Sequence, residues 1–555
     1  MAKELSYKPL NDLGVNGLNT QSNPATLDPS WLTKAENVVI RESGRIALRK
    51  GLKQKIVPTG TAIASLVEHR DQSTDKIFAS YGTSIYTVDF GSPTAAFPSS
   101  GADVKHTVTG SSGNWQYVNF NDRLNVFHES IVPQRYDGSL GVGSKWAAYD
   151  NAHRPSSVTS GEFKPSCGMG YYGRMWVGGV AEGKDVIYYS TLLDSDDFRT
   201  TAENGASNGG YIDLKTVWGT DEIVAIAPFY GKLVIFGNNN IVVYDSPEVI
   251  GSIALNEVIR GIGLVSRDTV QAIGDDLVFL SSTGLRSLAR TTEKDKLPLQ
   301  DLSLNIKDTL IRNIGNSTNV KSVYVESEGI YIMSFVDNNI NYIFDFKHGT
   351  PNGAPRITTW TFDSDREPAS LAYTNLYGLL VGQQDGGLAG YERYFDTDAA
   401  AADGGGITYT DTSYTSEIQT VWLNLGNSVI AALLKRFFMI IEGGNGATVC
   451  MKYYKDFSPV SSDSTCVTLS PVTTGTAFLW GKTTSLYGAT TAAHTHDSAV
   501  HTASATYRPI YGLKEYRMPL LGSAKHLKIA VDIQSNGFDL SIQALTLLHK
   551  QGKIR

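Results

Sequence analysis

Gly168-Met169-Gly170-Tyr171-Tyr172-Gly173 has the glycine spacing of a dinucleotide-binding turn. That turn works only between a strand and a helix, whose N-terminus then meets the pyrophosphate. Arg174-Met175-Trp176-Val177 follows and reads as a strand, so a hairpin is expected here. Gly481-Lys482-Thr483 has the close of a phosphate loop, but Gly475 stands one residue too far upstream and no helical period follows. Asp194, Asp196 and Asp197 offer oxygen ligands for calcium, yet the closing Glu of a calcium loop is missing and turn aspartates usually bond their own backbone. His494, His496 and His501 could hold a transition metal, but Asp497 is their sole nearby carboxylate and the segment reads as a solvated loop. Glycoside hydrolysis would need two opposed carboxylates, which a sequence does not place. The expectation is no catalytic residue, no metal and no cofactor.

The elements that would carry any such site are strands. The 555 residues include 54 Gly, 28 Tyr and only 19% charged residues, a balance that favours β-structure with frequent tight turns. A net charge of −7 argues against a general nucleic-acid binder. Three cysteines, Cys167, Cys450 and Cys466, are too few for a disulfide framework and fit a reducing cytoplasm. The start, MAKELSYKPLND, lacks the apolar stretch of a signal peptide, and the apolar run Val429 to Ile441 is broken by Lys435 and Arg436, so no membrane anchor is expected.

From residue 61 to 397 a strand–turn–strand unit recurs. Examples are Lys76 to Val88 through Gly82, Lys232 to Tyr244 through Asn238-Asn239-Asn240, and Leu376 to Val381 before Asp385-Gly386-Gly387. A spacing of roughly 40–50 residues is in the range of propeller blades, and such units bury their faces only by stacking. The expected main domain is therefore β-propeller-like, with six to eight blades by that spacing rule; a multi-sheet sandwich is the alternative. Asp301 is placed to cap one helix carrying Leu302, Ile306, Leu310 and Ile314 on one face. Residues 398–406 form a small-residue linker, and 407–555 are expected to fold as a C-terminal β-sandwich whose Ser461 to Ser504 stretch makes exposed loops.

Residues 1–60 are expected to form an N-terminal arm with an opening hairpin: Asn23-Pro24 and Asp28-Pro29 turns, then strands Glu36 to Arg41 and Arg45 to Arg49 around Gly44. Gly17, Leu18, Asn19, Asn23, Pro24, Asn37, Val38, Gly44, Arg49 and Gly51 together resemble the opening of tail proteins from short-tailed bacteriophages, the tail nozzle or packaged-DNA stabilisation family. Tyr188-Tyr189-Ser190, Asp197-Phe198, Tyr211-Ile212-Asp213 and Gly261 to Ser266 extend the likeness in pattern over most of the first 400 residues. The resemblance implies a virion tail protein made in the host cytoplasm. It implies a ring, usually of six copies, beneath a head-to-tail adaptor and beside fibre or spike proteins. Such a ring holds packaged double-stranded DNA without sequence specificity and conducts it at ejection. A receptor- or carbohydrate-binding tail protein and, behind it, a propeller glycoside hydrolase are the alternatives.

Between Arg41 and Lys55 stand six basic residues (Arg41, Arg45, Arg49, Lys50, Lys53, Lys55) against Glu42. Arg41, Arg45, Lys50 and Lys53 are the candidates for contact with DNA phosphates or an acidic partner; the alternative is an ordinary solvated hairpin face.

Overall fold

A computed structural model describes residues 5–10, 12–41, 44–56, 60–70, 74–88, 105–108, 110, 113–158, 162–200, 208–289, 301–317, 319–363, 366–393, 396–399, 409–425, 430–444, 446–469, 513–535 and 537–551. The chain forms two compact units. One spans residues 52–392 with 397–410, and the other combines 1–51, 393–396 and 411–555.

The larger unit is a β-propeller. Among the described residues, seven antiparallel sheets follow one another along the chain. The first four each hold four strands and begin at Leu66–Arg70, Gln116–Phe120, Cys167–Tyr171 and Ile223–Phe229. A three-stranded sheet begins at Gln271–Ile273, and a four-stranded meander runs from Val320–Val325 to Pro355–Trp360. The last sheet begins at Pro368–Thr374. First strands of neighbouring sheets lie side by side: Gln116–Phe120 with Cys167–Tyr171, then that strand with Ile223–Phe229. Val320–Val325 likewise touches both Gln271–Ile273 and Pro368–Thr374, and Pro368–Thr374 touches Leu66–Arg70, which closes the circle.

Closure is completed by a strand from far upstream. Gly51–Ile56 supplies the outermost strand of the last sheet, beyond Leu388–Arg393. Ile56 and Ile63 then share one apolar cluster with Leu66, Ile77 and Val88 of the first sheet and with Leu380 and Leu388 of the last. The buried Gln54 amide donates to Gln383 Oε1 (2.7 Å) and to the Ile56 carbonyl (2.7 Å), so it enters the core with its donors used.

The apolar clusters lie between sheets. Phe78 and Ile85 pack on Leu124 and Val126 of the next sheet, Phe127 on Met175 and Val177, and Trp176 on Leu233 and Ile235. A sheet covered on both faces needs apolar residues at successive positions, which is why Leu233 to Phe236 reads as an unbroken run and is wholly buried. The expected helix is present but shorter. Lys307–Ile314 is α-helical after a 3-10 turn at Leu304–Ile306, and Asp301 accepts from the Ser303 amide (3.0 Å) ahead of it rather than capping it.

The smaller unit draws on both ends of the chain, which corrects the expected division into an arm of 1–60 and an independent 407–555. Leu5–Leu10 and Ile46–Leu48 both pair with Leu540–Lys550, which also pairs with Ala432–Gly443. A second group of strands sets Trp31–Glu36 against Thr415–Thr420, followed by His526–Gln534, Thr448–Lys455 and Asp463–Thr468. In the last pair Cys450 and Cys466 face each other and form a disulfide, where three scattered cysteines had suggested reduced thiols. Residues 470–512, with the Lys482 loop and the three histidines, and most of the expected linker lie outside the described residues.

The opening hairpin is present. Val38 pairs with Leu48 and Ile40 with Ile46, and Gly44 sits at φ +78° in the turn, donating to the Arg41 carbonyl (2.9 Å). A β-carbon at Gly44 would stand 3.1 Å from Val15 Cγ2 in a conformation that branched residues rarely adopt. Gly44→Val is expected to cost more than about 1 kcal/mol, read as a lowered melting midpoint; an unchanged midpoint would remove the turn's need for glycine.

Candidate functional site

Two residues of the opening motif, Asn37 and Arg49, meet in the smaller unit, where Arg49 is a buried cation. Asn37 adopts a left-handed conformation (φ +56°), which asparagine tolerates better than most residues. From there its Oδ1 accepts from Arg49 Nε (2.9 Å) and its Nδ2 donates to the Thr415 carbonyl (2.8 Å). The Asn37 carbonyl accepts from the Ser416 hydroxyl (2.8 Å) and the Arg49 amide (3.2 Å). Arg49 is fully buried; its Nη1 donates to the Lys50 carbonyl (2.8 Å), and its guanidinium lies 4.1 Å from the centre of the Tyr414 ring. Tyr414 returns its hydroxyl to the Arg49 carbonyl. A planar group that stacks and forks at once suits arginine and not lysine.

The other motif residues shape the path into this node. Gly17 and Leu18 pair in parallel with Trp31 and Leu32. Asn19 is buried, and its Oδ1 accepts from the amides of Gln21 (3.0 Å) and Ser22 (2.9 Å), fixing the chain before Pro24. Asn23 makes the same kind of turn toward Ala25. The motif is therefore architectural. Tyr414, more than 360 residues from Arg49, left no local signal by which sequence could have joined them.

The basic stripe divides. Arg41 meets Asp539 (2.5 Å) and Arg45 meets Glu442 (2.9 Å) within the smaller unit. Lys50 is half-buried there and offers its carbonyl to Arg49. Lys53 belongs to the closing strand of the propeller and, with Lys55, faces Glu392. Arg41, Arg45 and Lys53 thus each have a carboxylate beside them, from a part of the chain the sequence could not bring near. These pairs are half exposed and worth little individually, so their effect is to neutralise the face.

In the propeller, Gly168 and Gly170 of the apparent dinucleotide motif lie in a strand, and Tyr172-Gly173 turns into Arg174–Gly178. A β-carbon on either glycine would stand 2.6 Å from a ring carbon of Phe127 or Phe120, so close packing of sheets demands them. Asp194, Asp196 and Asp197 are engaged by arginines: Arg123 with Asp194 (3.7 Å), Arg135 with Asp196 (2.7 Å) and Arg199 with Asp197 (2.8 Å). Burial together with the Asp194 carboxylate pushes Asp196 up to about 6, against the pull of Arg135. Among the described residues no group of three or more metal-ligating side chains occurs.

A polar cavity of about 270 Å³ is lined by first strands of the propeller and their approaches, including Ser65, Gln116, Gln271 and Ser322. At its wall Asp268 receives Arg267 Nε (3.0 Å) on one oxygen and Lys321 Nζ (2.6 Å) on the other. Burial alone would raise the Asp268 carboxyl, but the charges and hydrogen bonds of Arg267 and Lys321 outweigh it and hold the group well below the usual carboxylate range. Lys321 also donates to Asn114, and Arg267 to the Ser166 carbonyl (2.7 Å), so the cluster ties together residues from four sheets or their approaches. Among the described residues lining this cavity, Asp268 is the one carboxylate.

No family model matches the chain, and no curated protein does. Among solved structures it is similar to the WD40 domain of Neurospora crassa Pan2, at a TM-score of 0.35 and 6% identity, over 62% of this chain and 96% of that one. A score that low carries no argument; the propeller assignment rests on the strand pairing.

Two outcomes follow. Arg49→Lys keeps the charge but loses the Nε donor and the stacked plane, leaving Asn37 Oδ1 short of a partner. It is expected to cost about 1–3 kcal/mol in chemical denaturation, and wild-type stability would dismiss the node. Asp268→Ala leaves Lys321 buried beside an empty place and is expected to cost about 3–5 kcal/mol at neutral pH. Because the folded carboxyl sits below its unfolded value, its contribution is complete above the ordinary carboxylate range and is lost as pH falls through the folded value. The variant's stability should therefore decline less steeply on acidification than the wild type's.

Proposed function

We propose that this chain is a structural virion protein, the nozzle subunit of a short-tailed phage, which forms a ring that extends the portal channel, retains packaged DNA and conducts it at ejection. The observation that carries the reading is the Asn37–Arg49–Tyr414 node: Asn37 and Arg49, which match the nozzle family's opening, are spent on building a fold. A chain selected for architecture keeps its distinctive residues buried, whereas one selected for turnover keeps them in a cleft.

The paired charges support the same reading. DNA passing through a channel is slowed by every phosphate that a free Lys or Arg binds. Arg41, Arg45 and Lys53 each sit against a carboxylate, and the whole chain carries −7, as suits a low-friction conduit. A ring of identical copies needs two different faces on each subunit, closed by rotation. Head-to-tail adaptor proteins above and fibre or spike proteins beside it would be its neighbours.

Antibody labelling of intact virions, viewed by electron microscopy, tests this. Label confined to the far end of a short tail is the expected result. Label on peripheral fibres would favour a receptor-binding role, and virions without label would end the phage reading.

A further inference from the structure

Three bulky residues in the propeller hold a backbone conformation that they ordinarily avoid: Tyr172 at φ +45°, Leu193 at +61° and Tyr230 at +48°. Tyr172-Gly173 and Tyr230-Gly231 are the two-residue turns that join the first and second strands of adjacent sheets, closed by Tyr171–Arg174 and Phe229–Lys232. Such turns need positive φ at both positions, and Asn, Asp or Gly normally supply it. The preceding sheet follows that rule with Asn121-Asp122. Tyrosine here costs folding free energy that asparagine would not, and strain of this kind collects where a side chain is needed for function.

The strained residues are also exposed and contiguous. Tyr172 is 46%, Leu193 58% and Tyr230 65% accessible, and Leu192 beside them is 51%. Leu192 Cδ1 lies 3.0 Å from where a side chain on Gly173 would begin, and the Tyr172 hydroxyl lies 3.6 Å from the same point at Gly231. The patch is rigidly built. Leu193 donates its amide to the Gly173 carbonyl (2.6 Å), and its carbonyl accepts from Asn121 (2.9 Å). A preorganised, tyrosine-bearing apolar patch is the composition of a protein interface.

Its rim is acidic. Asp122 is exposed on the matching turn of the preceding sheet, Asp275 is exposed on the matching turn of the following sheet, and Glu248 is exposed just beyond the strand Asn240–Asp245. Burial, then Asp275 and Asp276, raise the Tyr230 hydroxyl, while burial with Tyr172 and Glu248 raises that of Tyr171, which places these carboxylates within electrostatic reach of the rings. The occupant should therefore be apolar with basic edges. The chain itself carries such a surface. Leu433 and Leu521 are exposed on the smaller unit, on neighbouring segments joined through the Leu434 amide and the Gly522 carbonyl (2.9 Å). Lys435, Arg436 and Lys525 are exposed around them.

We infer that the Tyr172–Tyr230 patch of one copy seats on the Leu433–Leu521 patch of the next, a heterologous contact that repeats around the ring; the inference rests on the ring reading above. The two patches differ in sign and belong to different units, so the contact is heterologous and propagates from copy to copy, closing only by rotation. Apolar centres supply the adhesion, and the opposed rims set register and reject like-with-like pairing.

Charge reversal tests it on the full-length chain by sedimentation velocity and negative-stain electron microscopy. Asp275→Lys with Glu248→Lys should disperse rings to single copies, and so should Lys435→Glu with Arg436→Glu. All four changes together should restore ring assembly. The altered side chains are exposed, so melting midpoints should stay near wild type and separate lost assembly from lost folding. Rings that persist in both double variants overturn the contact while leaving the nozzle reading intact. A wild-type chain that stays single at its highest soluble concentration also overturns the contact, and labelled tail tips in virions would then show that the nozzle reading survives without it.

Discussion

A sheet that buries both faces must have a neighbour on each side, and a row of such sheets ends without a bare face only by returning to its start. That constraint governs the larger unit. Phe78, Phe127, Trp176 and Phe236 each lie in an apolar cluster that spans two sheets, so these sheets share their cores. The first and last sheets would each be left with one apolar face if the row stayed open. Ile56, Leu66, Ile77 and Leu380 meet in one cluster because the row closes. The closing strand Gly51–Ile56 precedes the first sheet in the chain yet hydrogen-bonds to the last, which ties the ends of the propeller by main-chain bonds as well as by apolar contact.

The same segment explains why the opening residues are so particular. Arg49 and Gly51 lie two residues apart, the first buried in the smaller unit and the second beginning the closing strand. The backbone there has little freedom, since Arg49 donates its amide to Asn37 and its carbonyl accepts from Tyr414. Buried arginine is expensive unless every donor and the flat faces are used. Asn37, the Lys50 carbonyl and the Tyr414 ring meet much of that demand, and together they hold the hairpin at one geometry.

How much of this was legible follows from the range of each interaction. The hairpin around Gly44, the strand–turn–strand recurrence and the hairpin nature of Gly168 to Val177 are local, and turn chemistry and periodicity expose them. The register of distant strands is not local. Nothing near Leu5 or Ile46 announces pairing with Leu540–Lys550, so the first fifty residues read as an arm when they are part of a sheet. Cys450 and Cys466 failed for the same reason, since sixteen residues of separation say nothing about facing positions on paired strands. The basic stripe looks unopposed in sequence because its acids, Asp539, Glu442 and Glu392, lie hundreds of residues along the chain. Tyr172-Gly173 and Tyr230-Gly231 stood in plain view as turn dipeptides, but the cost of tyrosine there appears only once φ is known.

Placement of charge then separates two kinds of surface on one molecule. Arg41 and Arg45 of the hairpin each meet a carboxylate from elsewhere in the chain, and Lys53 and Lys55 of the closing strand share Glu392, which weakens long-range attraction for a polyanion while leaving the local geometry pinned. Around Tyr172 and Tyr230 the carboxylates instead surround an apolar centre, and around Leu433 and Leu521 the cations do. A protein that only had to stay soluble would have no reason to strain three backbone positions to hold tyrosine and leucine in water. Strain of this kind persists because the surrounding structure holds it, as Gly173 and Asn121 hold Leu193, and it is what motivates the contact inferred above. In the contact inferred above, the propeller supplies rigidity and two adjacent turns present the patch.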